Sequence, residues 1–565
     1  MYLQKIKNKI EQILNDKYFI SIVLKSNFVD ETFDFCLPLF NYSKILKKDL
    51  MEIFYDFQKD LMILQQIQKI FFQNGFLNIK LNRKKISQGI LLNVLNSGES
   101  YCQKKDNNKT IVLDYSSPNI AKNFSIGHLR STVIGNALKN TYQKLGFKTI
   151  SINHLGDWGT QFGKMILAYR NWAKSENMSK DPINELQRVY ILFHQESNKN
   201  KNLNNEARHI FYLLENKVKE ITDLWKYFKE ISLKEFHKIY DLLGIAFDYY
   251  IGESFFHDKS IELLKHLKEK KLLLLDKDAY IMPLDENIPP ALIQKKNGST
   301  LYLTRDIACL LYRYQKFNFH KCLYVVGNEQ KLHYKQLKAV AKKIGYDNLE
   351  LEHINFGLIL FQNTKISTRQ SNEFKLINII DKAMLEVQNI IRDKNVSQEK
   401  LKEISQKIAI GAIVFNDLKN DRHLDIKFEL DQMLKFEGNT GPYLQYTIVR
   451  FNSIIKKIDL HDNEFIYDNI NFSEYYEQFH YYILIRLLDQ FDSILEKVKD
   501  LNMPSVLARY LFQLAKNANK FYEKEKILNI DDPKLQYANI LLIKGIMIVL
   551  KEGLKILGIP ILDEM

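Results

Sequence analysis

A chain of 565 residues, 46% hydrophobic and 26% charged, with only 10 prolines and 21 glycines, has a globular composition that excludes disordered and fibrous classes, and its length implies about two to four domains. The net charge is +14 with lysine spread along the chain, so nucleic acid is the leading partner, although charge by itself also fits a solvated lysine-rich surface. Cys36, Cys102, Cys309 and Cys322 are dispersed without a C-x-x-C pair, which excludes a disulfide framework and a zinc-finger-type metal site and fits a reducing, cytoplasmic compartment.

The start, MYLQKIKNKIEQIL, has the amphipathic pattern of a helix and carries early acidic residues, unlike a signal or transit peptide. Residues 1–105 mix helical periodicity with extended runs such as Phe76 to Leu81, and they form an expected separate α/β domain. Next come an extended run Thr110 to Tyr115, a loop, a helix from near Gly127 to before Gly146, and a second extended run Phe147 to Asn153. This is a βαβ unit with parallel strands. From about Met165 to Lys270 the pattern is helical and highly charged, which predicts an insertion between two halves of a sheet. The sheet resumes with a strand at Lys321 to Val326, a helix at Lys331 to Lys343 and an extended run at Leu351 to Leu360. From Ile377 onward helical periodicity predicts an all-α region. Its most apolar stretch, Ala538 to Leu562, is broken by Lys544, Lys551, Glu552 and Lys555, which argues against a membrane span.

Chemistry concentrates in the loop SSPNIAKNFSIGHLRST, Ser116 to Thr132, at the carboxyl end of the first strand, where parallel sheets bind ligands. Gly127 and His128 fall in the first helical turn, whose free N–H groups and dipole favour phosphate. Gly127 permits close approach by a flat base, and His128 can donate to a phosphate oxygen. A glycine–histidine pair at a helix start is equally a simple turn and cap. The longer stretch, however, resembles the H-x-G-H signature of class I aminoacyl-tRNA synthetases, and SSPNIAK, LRST and the downstream HLGDWGTQFGK, His154 to Lys164, resemble the arginyl-tRNA synthetase family. Ser125 stands where that signature has its first histidine. Asp157 and Gln161 are expected as supports rather than reacting groups.

Arginine offers a planar cation with five N–H donors, so its site should present carboxylates and a phenol or amide. Tyr302 and Asp306, four apart at a helix start in LYLTRDIACLLYRY, share one face. The resemblance implies that Asp114, Tyr302 and Asp306 contact the guanidinium, that Asn119 and Gln330 hold the α-amino group, and that Ser116 belongs to the same pocket. The run KISTRQ, Lys365 to Gln370, resembles the K-M-S-K-S signature in its K-M-S-T-R form, implying contacts from Lys365, Ser367 and Arg369 to ATP phosphates. Thr368 replaces the second lysine, and Lys122 stands where the family is thought to compensate; Ser371 replaces a common glycine. ATP is then expected on Lys122, Ser125, Gly127, His128 and Lys365, with Mg²⁺ arriving on ATP and no dedicated protein site.

FEGNTGPYLQYTIVR, Phe436 to Arg450, and SVLARYLFQLAKNANKFYE, Ser505 to Glu523, resemble the family's helical anticodon-binding domain, with Tyr443, Tyr446 and Tyr522 as candidate stacking partners for bases. FCLPLFNYSKILKK and NGFLNIKLN resemble its N-terminal domain, and LKILGIPILDEM its C-terminus, so the chain is expected to be complete. The expected architecture is a Rossmann-like parallel-sheet catalytic domain at 106–375 with a helical insertion at about 170–290. It is flanked by a tRNA-elbow domain at 1–105, a stem-contact region at 376–438 and an all-α anticodon domain at 439–565. The expected protein is a monomer that binds ATP, L-arginine and tRNA(Arg). A non-catalytic RNA-binding relative is the alternative that Ser125 and Ser371 raise.

Overall fold

The computed structural model describes the chain except residues 1, 28–30, 278, 286, 296–300, 362–363, 366–374, 392–396, 458–472, 526 and 565, together with the side chains of Phe361, Thr364, Lys365, Ser473 and Asn529. Its centre is a five-stranded, all-parallel sheet in the spatial order Glu350–His353, Lys321–Tyr324, Thr110–Asp114, Lys148–Asn153, Tyr249–Tyr250. Thr110–Asp114 is apolar at every position from Ile111 to Leu113 because both faces are covered. Ile111 and Leu113 belong to one hydrophobic core, and Val112, Ile150, Ile152 and Cys322 to another on the opposite face. The chain runs outward from Thr110–Asp114 to Lys148–Asn153 and Tyr249–Tyr250, then returns to Lys321–Tyr324 and Glu350–His353. The order therefore reverses between Thr110–Asp114 and Lys321–Tyr324, and a ligand crevice opens at their carboxyl ends.

The helix Ile126–Lys144 links the first two strands, and Lys331–Lys343 links the two after the reversal. The predicted run of unbroken helix from Met165 to Lys270 is interrupted: Tyr249–Tyr250 pairs in parallel with Ile152 and Asn153 and so belongs to the central sheet. Two residues are too few to show a period of two in the sequence. A separate antiparallel sheet, Leu274–Asp276, Ala279–Met282 and Ala291–Gln294, follows inside the segment expected to be helical. The run Leu351 to Leu360 likewise splits, with Glu350–His353 in the central sheet and Ile359–Phe361 in a small sheet with Thr364–Lys365 and Ile426–Lys427.

An N-terminal antiparallel sheet, ordered Lys25–Ser26, Phe35–Pro38, Phe76–Leu81, Ile67–Gln73, carries the helices Tyr2–Tyr18 and Leu50–Leu61. Beyond residue 376 the main elements are helices, among them Gln398–Leu418, Gly441–Lys457, Phe479–Leu501, Ser505–Glu525 and Pro533–Leu557. Among the described residues no helix is long and apolar enough to cross a membrane. Asp34 sits between the buried guanidinium groups of Arg83 and Arg486, each 3.9 Å away, and so joins the N-terminal sheet to the C-terminal helices.

The crevice is braced from behind by Arg130, which lies on the first crossover helix. Its Nε donates to Asp417 at 3.1 Å and its Nη1 to the Leu424 carbonyl at 2.8 Å, with both side chains of the ion pair almost fully buried. Burial raises the Asp417 pKa while Arg130 pulls it down. Removing one partner strands the other charge. Asp417→Ala is therefore expected to lower stability by about 3–5 kcal/mol, seen as an earlier urea midpoint; an unchanged midpoint would contradict the role of this pair.

Candidate active site

Asn82 and Asp49 cap their helices with side chains in the ordinary way, but the start of Ile126–Lys144 is arranged differently. The Ser125 backbone N–H donates to His128 Nδ1 at 3.1 Å, and the Ser125 hydroxyl lies 3.2 Å from the same nitrogen. Burial lowers the His128 pKa to about 4, the neighbouring Lys122 adding to the shift. The ring is thus neutral near pH 7. With Nδ1 accepting, its proton resides on Nε2, leaving that nitrogen as the donor available to a ligand. Gly127 beside it is exposed, and a Cβ there would meet only Ser125 Oγ, at 3.4 Å. Nothing in the protein requires glycine at this point, although glycine in a helix costs about 1 kcal/mol against alanine.

The loop before this turn is shaped by close approach. The Asn119 side chain lies against Gly156, where a Cβ would sit 1.9 Å from Asn119 Oδ1. An isolated parallel bridge joins the same two residues, and Ile120 N–H donates to the Gly156 carbonyl at 3.2 Å. HLGDWGTQFGK is thereby tied to SSPNIAK. Asn119, Ile120, Lys122, Gln161, Phe162, Met165, Tyr190 and Tyr302 line a cavity of about 270 Å³. Asn119, Lys122 and Tyr302, predicted from distant stretches, share this cavity with Gln161. Burial lowers the Lys122 pKa.

Asp306 lies one turn beyond Tyr302 on Tyr302–Phe317, and its carboxylate accepts from His333 Nε2 at 2.7 Å. A further acid sits with them. Glu253 follows the carboxyl end of the Tyr249–Tyr250 strand, is mostly buried, and has its pKa raised to about 7; burial is the main cause, with Asp306 and Asp157 adding to it and Arg305 opposing it. Arg305 Nη2 donates to Glu253 at 3.3 Å, and its guanidinium lies 4.8 Å from the Tyr302 ring centroid. Asp157 holds the Glu253 turn in place, accepting from the Ser254 N–H and hydroxyl at 2.8 Å each and from Lys229 at 2.7 Å. Sequence reading missed Glu253. Its signal, an acid directly after a strand at the ligand-binding edge, was hidden because the strand is so short.

The other expected pocket residues are placed differently. The Asp114 carboxylate, expected on the substrate guanidinium, lies 2.7 Å from buried Arg313 Nη2 and accepts from Ser117 Oγ at 2.8 Å. An internal guanidinium thus takes the place expected for the ligand. Ser116 is buried: its hydroxyl accepts from Thr132 at 2.9 Å and shares a 2.7 Å bond with the Tyr240 hydroxyl, so it braces the loop rather than facing the cavity. Gln330 is exposed on the 3₁₀ turn Asn328–Gln330.

The chain on either side of the second motif is placed by main-chain pairing. Thr364–Lys365 pairs antiparallel with Leu360–Phe361. Ser367, Thr368, Arg369 and Ser371 lie outside the described residues, as does the Lys365 side chain. Where the described chain resumes, Lys375 forms an antiparallel bridge with Ser125, and Leu376 N–H donates to the Phe124 carbonyl at 3.0 Å. Among the described residues no three His, Cys, Asp or Glu side chains are grouped as a metal site would need.

In the C-terminal helices, Tyr446 is exposed and edge-on to Phe436, whereas Tyr443 accepts from Asn519 Nδ2 at 3.0 Å and Tyr522 lies under the Arg450 guanidinium at 4.1 Å. Tyr446 alone of the three presents an open ring.

A parallel sheet with a reversed strand order and a glycine–histidine helix start at its carboxyl edge defines a class I aminoacyl-tRNA synthetase. Residues 90–430 match the family of class I (R) tRNA synthetase catalytic domains, and residues 444–565 match the DALR anticodon binding domain. The chain belongs to the arginine–tRNA ligase family: it is 39% identical to the arginine–tRNA ligase of Exiguobacterium sibiricum, over 100% of this chain and 99% of that one. It is also 37% identical to that of Clostridium botulinum, over 99% and 100% of the two chains. Among solved structures, the Plasmodium falciparum arginyl-tRNA synthetase superposes with a TM-score of 0.79 at 26% identity, covering 99% of both chains. The Thermus thermophilus arginyl-tRNA synthetase shares the fold, with a TM-score of 0.82 over 100% of both chains.

Gly127→Ala separates ligand from scaffold. It is expected to leave thermal stability unchanged or raise it by up to about 1 kcal/mol while weakening ATP binding at least about tenfold, a loss of some 1.4 kcal/mol. Loss of stability with normal ATP binding would contradict the reading.

Proposed function

We propose that this protein activates L-arginine with ATP and transfers it to the 3′ end of tRNA(Arg). The observation that supports the reading is the Ser125–Lys375 pairing, which brings the chain leaving the second motif against the glycine–histidine helix start; Lys122, three residues before Ser125, lines a cavity shared with Tyr302, and Asp306 and the Arg305–Glu253 pair follow Tyr302. The arginine carboxylate attacks the α-phosphate of ATP, forming arginyl-adenylate and releasing pyrophosphate. A terminal ribose hydroxyl of the tRNA then takes the acyl group. Positioning and charge stabilisation carry both steps, and no protein general base is assigned.

In this reading adenine lies on the open face at Gly127. Lys122, Ser125, neutral His128 through Nε2, and Lys365, Ser367 and Arg369 of the second motif bind the phosphates. Mg²⁺ arrives with ATP and supplies further charge neutralisation there. The substrate guanidinium lies between the Tyr302 phenol and the carboxylates of Asp306 and Glu253. Asn119 and Gln330 serve the α-amino group. Asp114 and Ser116 act one step back, through Arg313, Ser117 and Tyr240, by fixing the loop that carries Asn119. For tRNA, residues 1–105 meet the elbow, 376–438 the stem and 439–565 the anticodon, where Tyr446 is the ring free to stack. The protein acts as a cytoplasmic monomer.

Arginine-dependent exchange between ATP and pyrophosphate, with and without tRNA(Arg), tests the reaction: exchange is expected with arginine alone among the amino acids, and to require the tRNA. Exchange driven by another amino acid, or none with cognate tRNA present, overturns the assignment. In the same assay Asp306→Asn should raise the arginine KM about 30- to 1,000-fold, the loss of a buried charge partner worth about 2–4 kcal/mol, and leave the ATP KM within a factor of two or so. Equal losses for both substrates would refute the pocket role of Asp306.

A further inference from the structure

The helix Pro182–Lys199 lies in the insertion, yet it reaches the nucleotide end of the site. Its apolar face, Ile183, Leu186, Val189 and Phe193, is buried and packs toward the helices Thr160–Trp172 and Asn202–Glu215. Asn184, Gln187, Tyr190 and His194, spaced by three, three and four residues, form a second stripe. Each is half-buried or exposed; Asn184 and Gln187 face Asn123, and Tyr190 lines the cavity.

Three observations give that stripe a task. The Asn123 side-chain amide, next to Lys122 and two residues before Ser125, uses its Nδ2 group on two acceptors of this helix: Asn184 Oδ1 at 3.3 Å and Gln187 Oε1 at 2.5 Å. Asn184 Nδ2 in turn donates to Asp181, the N-cap of the helix, whose carboxylate also lies 3.6 Å from Lys375 Nζ. A continuous polar chain therefore runs from Lys375 through Asp181 and Asn184 to Asn123, and it connects the same two segments that pair through Ser125 and Lys375. Tyr190 on the same face forms part of the cavity wall with Lys122, and His194 beyond it has its pKa lowered by burial and by Lys164 and Lys122.

We propose that the Pro182–Lys199 helix is the positioning element of the nucleotide site, with Asn184 and Gln187 holding Asn123, and with it Lys122 and the Ser125–His128 turn, in register with the chain that leaves the second motif. The inference rests on the ATP site described above. The fold alone does not call for these bonds: the helix is already anchored by its apolar face and by Glu185, which binds Arg188, the Lys174 N–H and Asn177. The polar chain instead fixes the orientation of one amide at the seam between the two motifs. Misplacing phosphate-binding groups by a fraction of an ångström to one ångström reduces the rate of phosphoryl chemistry without touching the amino acid pocket.

The test is pyrophosphate exchange by the full-length enzyme, with ATP and arginine each varied. The double variant Asn184→Leu/Gln187→Met, which removes both acceptors at similar volume, is expected to lower kcat/KM for ATP about 10- to 100-fold while the arginine KM stays within a factor of about two. Gln187→Glu, which keeps an acceptor oxygen for Asn123, should stay near wild type where Gln187→Met alone loses activity toward ATP. If the double variant does not fold, the Gln187→Met and Gln187→Glu pair carries the test by the same contrast. A double variant with wild-type ATP kinetics, equal losses toward ATP and arginine, or no difference between the two Gln187 variants overturns the inference. All arms contain tRNA(Arg); absence of arginine-dependent exchange in the wild type with that tRNA present would instead bring down the proposed function on which the inference rests.

Discussion

The site depends on a main-chain contact between two stretches remote in sequence: Ser125, at the start of the first crossover helix, pairs with Lys375, where the chain leaves the second motif. In the proposed reading the two segments share the triphosphate. The helix start provides N–H groups, a dipole and one neutral imidazole, and the other segment brings cationic and hydroxyl side chains. The parallel sheet puts the first segment at its carboxyl edge, and the chain that leaves the small sheet of Ile359–Phe361, Thr364–Lys365 and Ile426–Lys427 returns to it at Lys375. Arg130 and Asp417 then lock that edge to the C-terminal helices.

Charge is segregated across the cavity. Lys122 stands at the nucleotide end, and the depressed pKa of His128 keeps a second positive charge from accumulating beside it. Next to Tyr302, beyond the cavity's lining, Glu253 and Asp306 add negative charge, and Arg305 moderates it. Buried acid without a cation is costly, so the protein supplies internal guanidinium groups, Arg305 for Glu253 and Arg313 for Asp114. Asp114 is held by Arg313 and Ser117, and in the proposed reading the substrate guanidinium goes to Glu253 and Asp306 instead.

Much of this was legible in the sequence where one local rule governs one element. Thr110–Asp114 read as a strand because a sheet buried on both faces needs near-continuous apolar side chains, Lys148–Asn153 from the alternating Ile150 and Ile152, and Lys331–Lys343 read as a helix from its period. Gly127 and His128 stood out through the longer stretch around them, which resembles the H-x-G-H signature; the pair alone fits a turn and cap as well. What stayed hidden depends on partners that only the fold supplies. Tyr249–Tyr250 is a strand solely because Ile152 and Asn153 lie beside it, and Glu253 becomes a site residue only once that strand is in the sheet. Asp114 and Ser116 looked like ligands for a substrate because nothing in their own neighbourhood of sequence reveals Arg313 or Tyr240. The polar stripe of Pro182–Lys199 was likewise indistinguishable from an ordinary solvated helix face.

The central claim is that one continuous cavity takes the nucleotide at the Ser125–Lys375 seam and the guanidinium at the acidic end. A crystal structure of the protein with arginine and a non-hydrolysable ATP analogue tests it most directly. The account expects the base against Gly127, a phosphate oxygen within hydrogen-bonding reach of His128 Nε2, and the guanidinium between Tyr302 and the carboxylates of Asp306 and Glu253. A nucleotide bound away from Gly127, or a guanidinium resting on neither acid, would contradict it.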